Sequence, residues 1–381
     1  MEITIKTMMG LEDILASELK VLGAKDIETG IRMVSCQGDM KLVYRANLEL
    51  RTALRVLLPI DKFMAHNEKG LYTMLRETDW SKFVGKDGSI WIDVVNQSDR
   101  FRNSQFLAQL TKDAIVDQFR DKTGDRPNVS KDNPELRLNL HIGKKGHAVI
   151  SADSSGEGLH RRGYRGRTGA APLNEVLAAG LLMLAEYDGS VPFVDPMCGS
   201  GTIACEAAMI AANHAPGLHR KFGFQQWPDF DAELFSDVRQ AALDRKIRPA
   251  HPIVAADRDG LSLQLAKIAA DRIGLNAAIS WVESDFQTLE PPKANSEDTP
   301  GGVLVTNPPY DLRLKTGDID GLYKEIGDTL KKRYDNYAAF LFSANRDALK
   351  NVGLRTSRKI ILMNGQLEAR LQKYEMYLGK K

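Results

Sequence analysis

The sequence predicts an α/β protein: a carboxyl-terminal, doubly wound, Rossmann-like sheet preceded by two smaller α+β units. Three observations carry this prediction. From residue 172 onward, short apolar runs alternate with helical stretches, and the runs end on polar residues, as in a parallel sheet that binds a ligand at its switch point. Ahead of residue 158, strands and helices come in mixed order and close on a hairpin. Between the two lies a short arginine-rich stretch that marks a boundary. The expected division is therefore 1–60, 61–157, a linker over 158–171, and 172–381. A length of 381 residues suits two or three domains at roughly 150 residues each. With 43% hydrophobic and 27% charged residues the chain is neither disordered nor fibrous. No apolar run reaches the roughly 20 residues needed to span a bilayer, and the amino terminus alternates like a strand rather than opening a signal peptide. Three cysteines, Cys36, Cys198 and Cys205, are too few for a disulfide framework and lack zinc spacing, so a reduced, cytoplasmic setting without a metal is expected. The net charge of +2 neither demands nor excludes a nucleic-acid partner; only a local cluster could argue one.

Element by element, residues 1–60 read as strand–helix–strand–helix–strand, a ferredoxin-like unit. Glu2–Lys6 is a strand, and Leu11, Leu15, Leu19 and Leu22 share a helix face that Gly23 ends. Ile31–Cys36 is a strand, Asp39 caps a helix over Met40–Leu48, and a short strand over Ala53–Leu58 stops at Pro59. Residues 61–157 give a helix around Gly70–Thr78, the strand Ile90–Val95 and a long helix from Ser104 to Phe119. Strands over Leu136–Ile142 and Ala148–Ala152 follow, joined by a turn whose tip carries Lys144 and Lys145. The stretch Leu159-His-Arg-Arg-Gly-Tyr-Arg-Gly-Arg-Thr168 has four arginines and no acid. It reads either as a solvated linker or as a phosphate-gripping segment in which Arg161, Arg162, Arg165 and Arg167 hold a backbone and Tyr164 stacks.

In the carboxyl-terminal part a helix over Leu173–Glu186 precedes strands at Val191–Val194, Pro252–Ala256, Ile279–Val282, Val303–Thr306 and Tyr337–Phe342. Helices lie at Thr202–Ala212 and Leu261–Ile273. Asn213–Ala250 is an insertion.

Four motifs bear chemistry. Asp195-Pro-Met-Cys-Gly-Ser-Gly-Thr202 follows the first strand; Gly199 and Gly201 allow close backbone approach, and Thr202 can cap the helix behind them. The turn is neither a P-loop nor G-x-G-x-x-G, and it has no lysine for a triphosphate. Asp257, at the end of the second strand, can accept both hydroxyls of a ribose. Asp285 can accept from an adenine amino group while Phe286 covers the ring. Thr306-Asn307-Pro-Pro-Tyr310 is a stiff elbow whose two prolines bring no N–H, so it offers acceptors only. If the Asn307 side chain and the Pro308 carbonyl each accept one N–H of a conjugated NH2 group, the nitrogen lone pair turns toward an electrophile. Tyr310 can stack on the base.

With its motifs in this order, the chain resembles class I amino methyltransferases with the N-P-P-Y signature. Gly169-Ala-Ala-Pro-Leu-Asn174, Asp195–Thr202, Glu206–Gly217 and Gly158–Arg165 further resemble the RlmL-type 23S rRNA guanine-N2 methyltransferases. The resemblance covers essentially the whole chain. It implies a ferredoxin-like domain, a THUMP RNA-binding domain and a methyltransferase domain that uses S-adenosylmethionine. Pro172 and Asn174 would line the methionine end, and Asp195, Pro196, Cys198, Gly199, Gly201 and Thr202 would face the cofactor. Asp257 would sit at its ribose and Asp285 at its adenine, while Asn307, Pro308 and Tyr310 would hold the base. The partner implied is RNA, either 23S rRNA or a large-subunit precursor, with transfer-RNA guanine and adenine N6 as rival targets; the oligomeric state stays open. Two-enzyme fusions in that family add a second methyltransferase; this sequence stops at Lys381, and that activity is not expected of it.

Overall fold

The computed structural model describes residues 1–166, 173–292, 301–309 and 318–377. They form two compact units. One comprises Met1–Thr7, Ala16–Leu159 and Arg220–Arg239; the other takes Met8–Leu15, His160–His219 and the chain from Gln240 onward.

The first unit opens with β1 (Glu2–Thr7), α1 (Glu12–Val21), β2 (Lys25–Gly30), β3 (Met33–Gln37), α2 (Met40–Glu49) and β4 (Ala53–Met64). Asp39 caps α2 as expected, accepting the Leu42 N–H at 2.8 Å. There follow α3 (Glu68–Glu77), β5 (Ser89–Asn96), α4 (Ser104–Thr123), β6 (Asn128–Val129), β7 (Leu136–Ile142) and β8 (His147–Asp153). All eight strands join one sheet in the order β2-β3-β1-β4-β8-β7-β5-β6. Pro59 does not end β4. The register against β8 shifts between Pro59 and Asp61, so the missing N–H falls at an irregularity and the strand runs on to Met64. The expected boundary at residue 60 thus lies inside a strand. Its core packs Leu71, Leu75, Trp80, Ile90, Ile115, Leu138 and Ile150 between helices and sheet.

Residues 220–239, read from sequence as part of an insertion into the later sheet, belong to this first unit. Arg220 donates to the carbonyls of Ser155, Glu157 and Gly158. The rings of Phe224, Phe230 and Phe235 gather around Tyr44 at centroid distances of 4.5 to 6.0 Å.

The second unit contains α5 (Glu175–Leu184), β9 (Phe193–Asp195) and α6 (Thr202–Ala211); then, after α7 (Ala232–Asp244), β10 (Ile253–Asp257), α8 (Gly260–Arg272), β11 (Ser280–Glu283) and β12 (Gly302–Thr306). The chain ends through α9 (Ile319–Arg333), β13 (Tyr337–Ser343), β14 (Arg358–Asn364) and β15 (Leu367–Glu375). The sheet order is β11-β10-β9-β12-β13-β15-β14. The first five strands run parallel and β15 is antiparallel to both its neighbours. After β9 the chain builds outward through β10 and β11, then returns to β12 on the other side. The crevice at the carboxyl ends of β9 and β12 is therefore the switch point, where open α/β sheets take their ligands. No helix among the described residues is long and apolar enough to cross a membrane.

Candidate active site

Leu304 of β12 pairs with Val194 of β9, so Asp195 and the Thr306–Pro308 segment leave neighbouring strands side by side, about 4.8 Å apart across the ladder. Asp195 is 1% exposed. Both its carboxylate oxygens, Thr306 Oγ1 and Asn307 Oδ1 are buried without a hydrogen-bond partner. Buried polar atoms are almost always paired, so four such atoms at one switch point mark a place where a ligand supplies the missing contacts. Burial pushes the Asp195 carboxyl up to about 7; the nearby Thr306 hydroxyl and Met197 N–H hold it down without closing a full bond, and the Asp257 charge adds to the rise.

The glycine turn is fastened to the second strand. The Cys198 N–H donates to the Ala256 carbonyl at 2.9 Å, the Gly199 N–H to Asp257 Oδ2 at 2.8 Å, and the Gly201 N–H to the Cys198 carbonyl at 2.8 Å. Asp257 Oδ1 accepts from the Asp259 N–H at 2.9 Å, and Asp259 in turn caps α8. Each Asp257 oxygen keeps a lone pair for a ribose hydroxyl. Gly199 and Gly201 sit at φ of +51° and +77°. A Cβ at Gly199 would meet nothing within 4 Å, so open space lies in front of the turn, whereas one at Gly201 would stand 2.7 Å from Ala266 Cβ. Pro196 and Cys198 are buried beside it, and burial pushes the Cys198 thiol well above its ordinary value.

Several sequence expectations change here. Thr202 does not cap α6: the cap is Gly201, and the Thr202 hydroxyl accepts from the Arg165 guanidinium. Phe286 is 5% exposed with its ring 5.4 Å from Tyr334, inside the core, so it does not cover an adenine; Asp285 beside it is exposed. The Asn174 side-chain oxygen caps α5 by accepting from the Val176 and Leu177 N–H groups. In the arginine-rich stretch, Arg162 and Tyr164 are 2% and 1% exposed and both reach Glu206 Oε1, at 3.4 and 3.1 Å. Arg165 bonds the Leu173 carbonyl and pairs with Glu175 at 3.4 Å. These three side chains fix the segment to α5 and α6 rather than facing solvent, because Glu206 and Glu175 would otherwise be buried carboxylates without a cation. Arg161 stays exposed, as do Lys144 and Lys145. Pro172, Arg167 and Tyr310 lie outside the described residues.

Comparison with known proteins places this geometry. The family described as "RMKL-like, methyltransferase domain" matches residues 162–373, an RlmL ferredoxin-like domain matches 2–57, and a THUMP domain matches 65–153. A putative RNA methyltransferase of Synechocystis is 40% identical over 97% of this chain and 95% of its own length. The chain belongs to the RMKL-like methyltransferase family. The ribosomal RNA large subunit methyltransferase K/L of Syntrophotalea carbinolica is 36% identical over 96% of this chain, which spans 52% of that longer protein. A putative methyltransferase solved with S-adenosylhomocysteine, SMU.472, superposes with a TM-score of 0.88 at 28% identity, covering 100% of this chain and 99% of its own.

S-adenosylmethionine is the methyl donor of this methyltransferase. The residues present suit it: unpartnered acceptors at two strand ends, a carboxylate at the second strand, and open space before the glycine turn. Two expectations follow from the same atoms. With its folded value near 7 and its ordinary value at 3.8, Asp195 takes up a proton on folding between those limits. Its contribution to stability is complete below the lower value and lost as pH rises through the upper one, by up to about 4 kcal/mol. Asp195→Asn should therefore gain in urea midpoint relative to the wild type as pH rises from about 4 to about 8; a constant difference would refute this. The two glycines should also separate. Gly199→Ala is expected to cost only about 1–2 kcal/mol of stability, from the left-handed backbone, yet to weaken S-adenosylhomocysteine binding about tenfold in calorimetry. Gly201→Ala, with its Cβ against Ala266, should lose the larger amount of stability.

Proposed function

We propose that this methyltransferase transfers a methyl group to the exocyclic N2 of a guanine in RNA, most specifically in 23S rRNA or a large-subunit precursor, acting in the cytoplasm. The observation that carries the reading is the elbow after β12, whose Asn307 Oδ1 is buried without a donor beside an equally unpartnered Asp195. The sulfonium of the bound cofactor presents a methyl group that is already activated, so the protein needs only to orient and hold acceptors. Asn307 Oδ1 and the Pro308 carbonyl accept the two N–H bonds of the amino group and hold the base edge in place. Tyr310 stacks on the base. Asp257 holds the ribose, Asp285 the adenine amino group, and Asp195, Pro196, Cys198, Gly199 and Gly201 form the floor of the cofactor site, with Pro172 and Asn174 at its methionine end. A paired guanine must be flipped out or already unpaired to enter. The segments over 1–60 and 61–157, with Arg161, Lys144 and Lys145, supply RNA affinity that falls with salt.

The decisive experiment maps methylated nucleosides by mass spectrometry in ribosomal and transfer RNA from cells lacking the gene. Loss of 2-methylguanosine from large-subunit rRNA supports the proposal. Its loss from transfer RNA would replace the substrate, and loss of N6-methyladenine would overturn the base.

A further inference from the structure

Beyond the cofactor crevice, the second unit holds a cavity of about 410 Å³ under the 346–356 segment, against one face of the β14–β15 hairpin. Its lining includes Arg346, Lys350, Lys359 and Arg370, with Gln372 on its floor and Asp347 the one carboxylate. Arg346 pairs with Glu368 at 3.5 Å and Lys350 with Asp347 at 2.7 Å, all four side chains about half exposed or more. Exposed pairs of this kind contribute little and exchange readily for another anion. Lys359 and Arg370 have no carboxylate partner among the described residues, and Arg370 Nε is buried without a hydrogen-bond partner. Gln372, 6% exposed, has its side-chain oxygen occupied by the hydroxyls of Tyr374 and Thr356, which fixes it as a rigid floor. A cavity so lined suits a phosphate oxyanion: planar guanidinium groups offer paired donors and lysines a point charge.

Its position selects the source of that phosphate. Thr306, Leu341, Gln372 and Lys359 form one row across four strands of the sheet. Arg370 pairs with Ser343, two residues nearer the carboxyl edge than this row. Two ladder spacings, about 10 Å, separate its strand from β12, whose end at Thr306 opens the elbow. A base held at Asn307 and Pro308 leaves its flanking sugar–phosphates within reach of this cavity.

We propose that the cavity over β14–β15 is a subsite for a backbone phosphodiester of the RNA strand whose base enters the elbow, gripped by Lys359 and Arg370. The inference rests on the RNA reading above. It is tested with the full chain carrying Lys359→Gln and Arg370→Gln together. Poly(U), which contains no guanine, is the binding probe, so the result is independent of which base is methylated. The salt slope of log affinity should fall by about 1.4, two single-strand phosphate contacts, and KM for large-subunit rRNA should rise about tenfold with kcat retained. Affinity for S-adenosylhomocysteine should stay unchanged. The charge-keeping pair Lys359→Arg and Arg370→Lys should restore the slope, which a variant lacking only structural support would not do. An unchanged slope in the glutamine pair overturns the proposal, as does a fall in poly(U) affinity matched by an equal loss of cofactor binding. Saturable binding of inorganic phosphate by calorimetry, abolished in the glutamine pair while the poly(U) slope persists, would make this a small-anion site and overturn the RNA assignment. If rRNA is not methylated but the slope still drops in the glutamine pair, the function reading fails and the subsite stands.

Discussion

Asn307→Ala is expected to lower kcat about 10²- to 10³-fold, to leave S-adenosylhomocysteine affinity within about twofold, and to keep or slightly raise the urea midpoint. The combination follows from the side-chain oxygen of Asn307, which accepts no hydrogen bond within the fold. Its Oδ1 is buried with no partner, and the same holds for Thr306 Oγ1 one residue earlier. A buried acceptor left unmade costs the folded state roughly 1–3 kcal/mol, so removing it relieves a penalty rather than breaking a contact. On the proposed mechanism an incoming N–H would meet this acceptor in the reacting complex, and the elbow's prolines bring no backbone N–H to compete for it. Asn307→Asp keeps an acceptor in place and should retain more activity than the alanine variant. Wild-type turnover by Asn307→Ala would refute the elbow mechanism. A large loss of cofactor affinity would reassign Asn307 to the donor side of the crevice.

The parts of this molecule that were legible in the sequence are those whose chemistry is local. The β9 turn, Asp257 and the β12 elbow each announce themselves through glycine, proline or an acid at a strand end, and the sheet order then brings them together. Elements without such a signal were missed. Strand β2 is exposed on both faces and carries Lys25, Asp26 and Glu28, so it has no alternation to read; charge on an edge strand prevents unwanted pairing and also hides the strand. Residues 220–239 look like an insertion because their aromatic residues find partners at Tyr44, nearly two hundred residues earlier, and no local pattern encodes that. The hairpin of β14 and β15 was readable in principle, from the Asn364-Gly365 step between two apolar runs. Phe286 illustrates the opposite error: an aromatic next to the Asp285 carboxylate suggests a ring cover, whereas its ring packs in the core against Tyr334.

Arg162→Ala should cost about 3–5 kcal/mol of stability in the second unit and leave the RNA affinity of the folded fraction unchanged. A run of four arginines around Gly163 and Gly166 has the composition of a phosphate grip, but composition cannot see Glu206. That carboxylate is fully buried on α6, Oε1 facing Arg162 Nε and the Tyr164 hydroxyl, with Oε2 lacking a partner. Removing the guanidinium would leave a charge in a place water does not reach, whereas removing both charges would not: Arg162→Met with Glu206→Leu should recover most of the loss. Arg161→Ala, at the exposed neighbouring position, should move the urea midpoint by no more than about 0.5 kcal/mol equivalent. The three variants separate two roles for one motif. If Arg162→Ala unfolds at the wild-type midpoint but its RNA binding loses salt dependence, the side chain turns outward in solution and the phosphate grip is restored. If the midpoint falls and the charge-free pair rescues it, the arginines that sit closest to the glycine turn are there to fix α5 and α6 behind the cofactor crevice, and RNA must be held elsewhere.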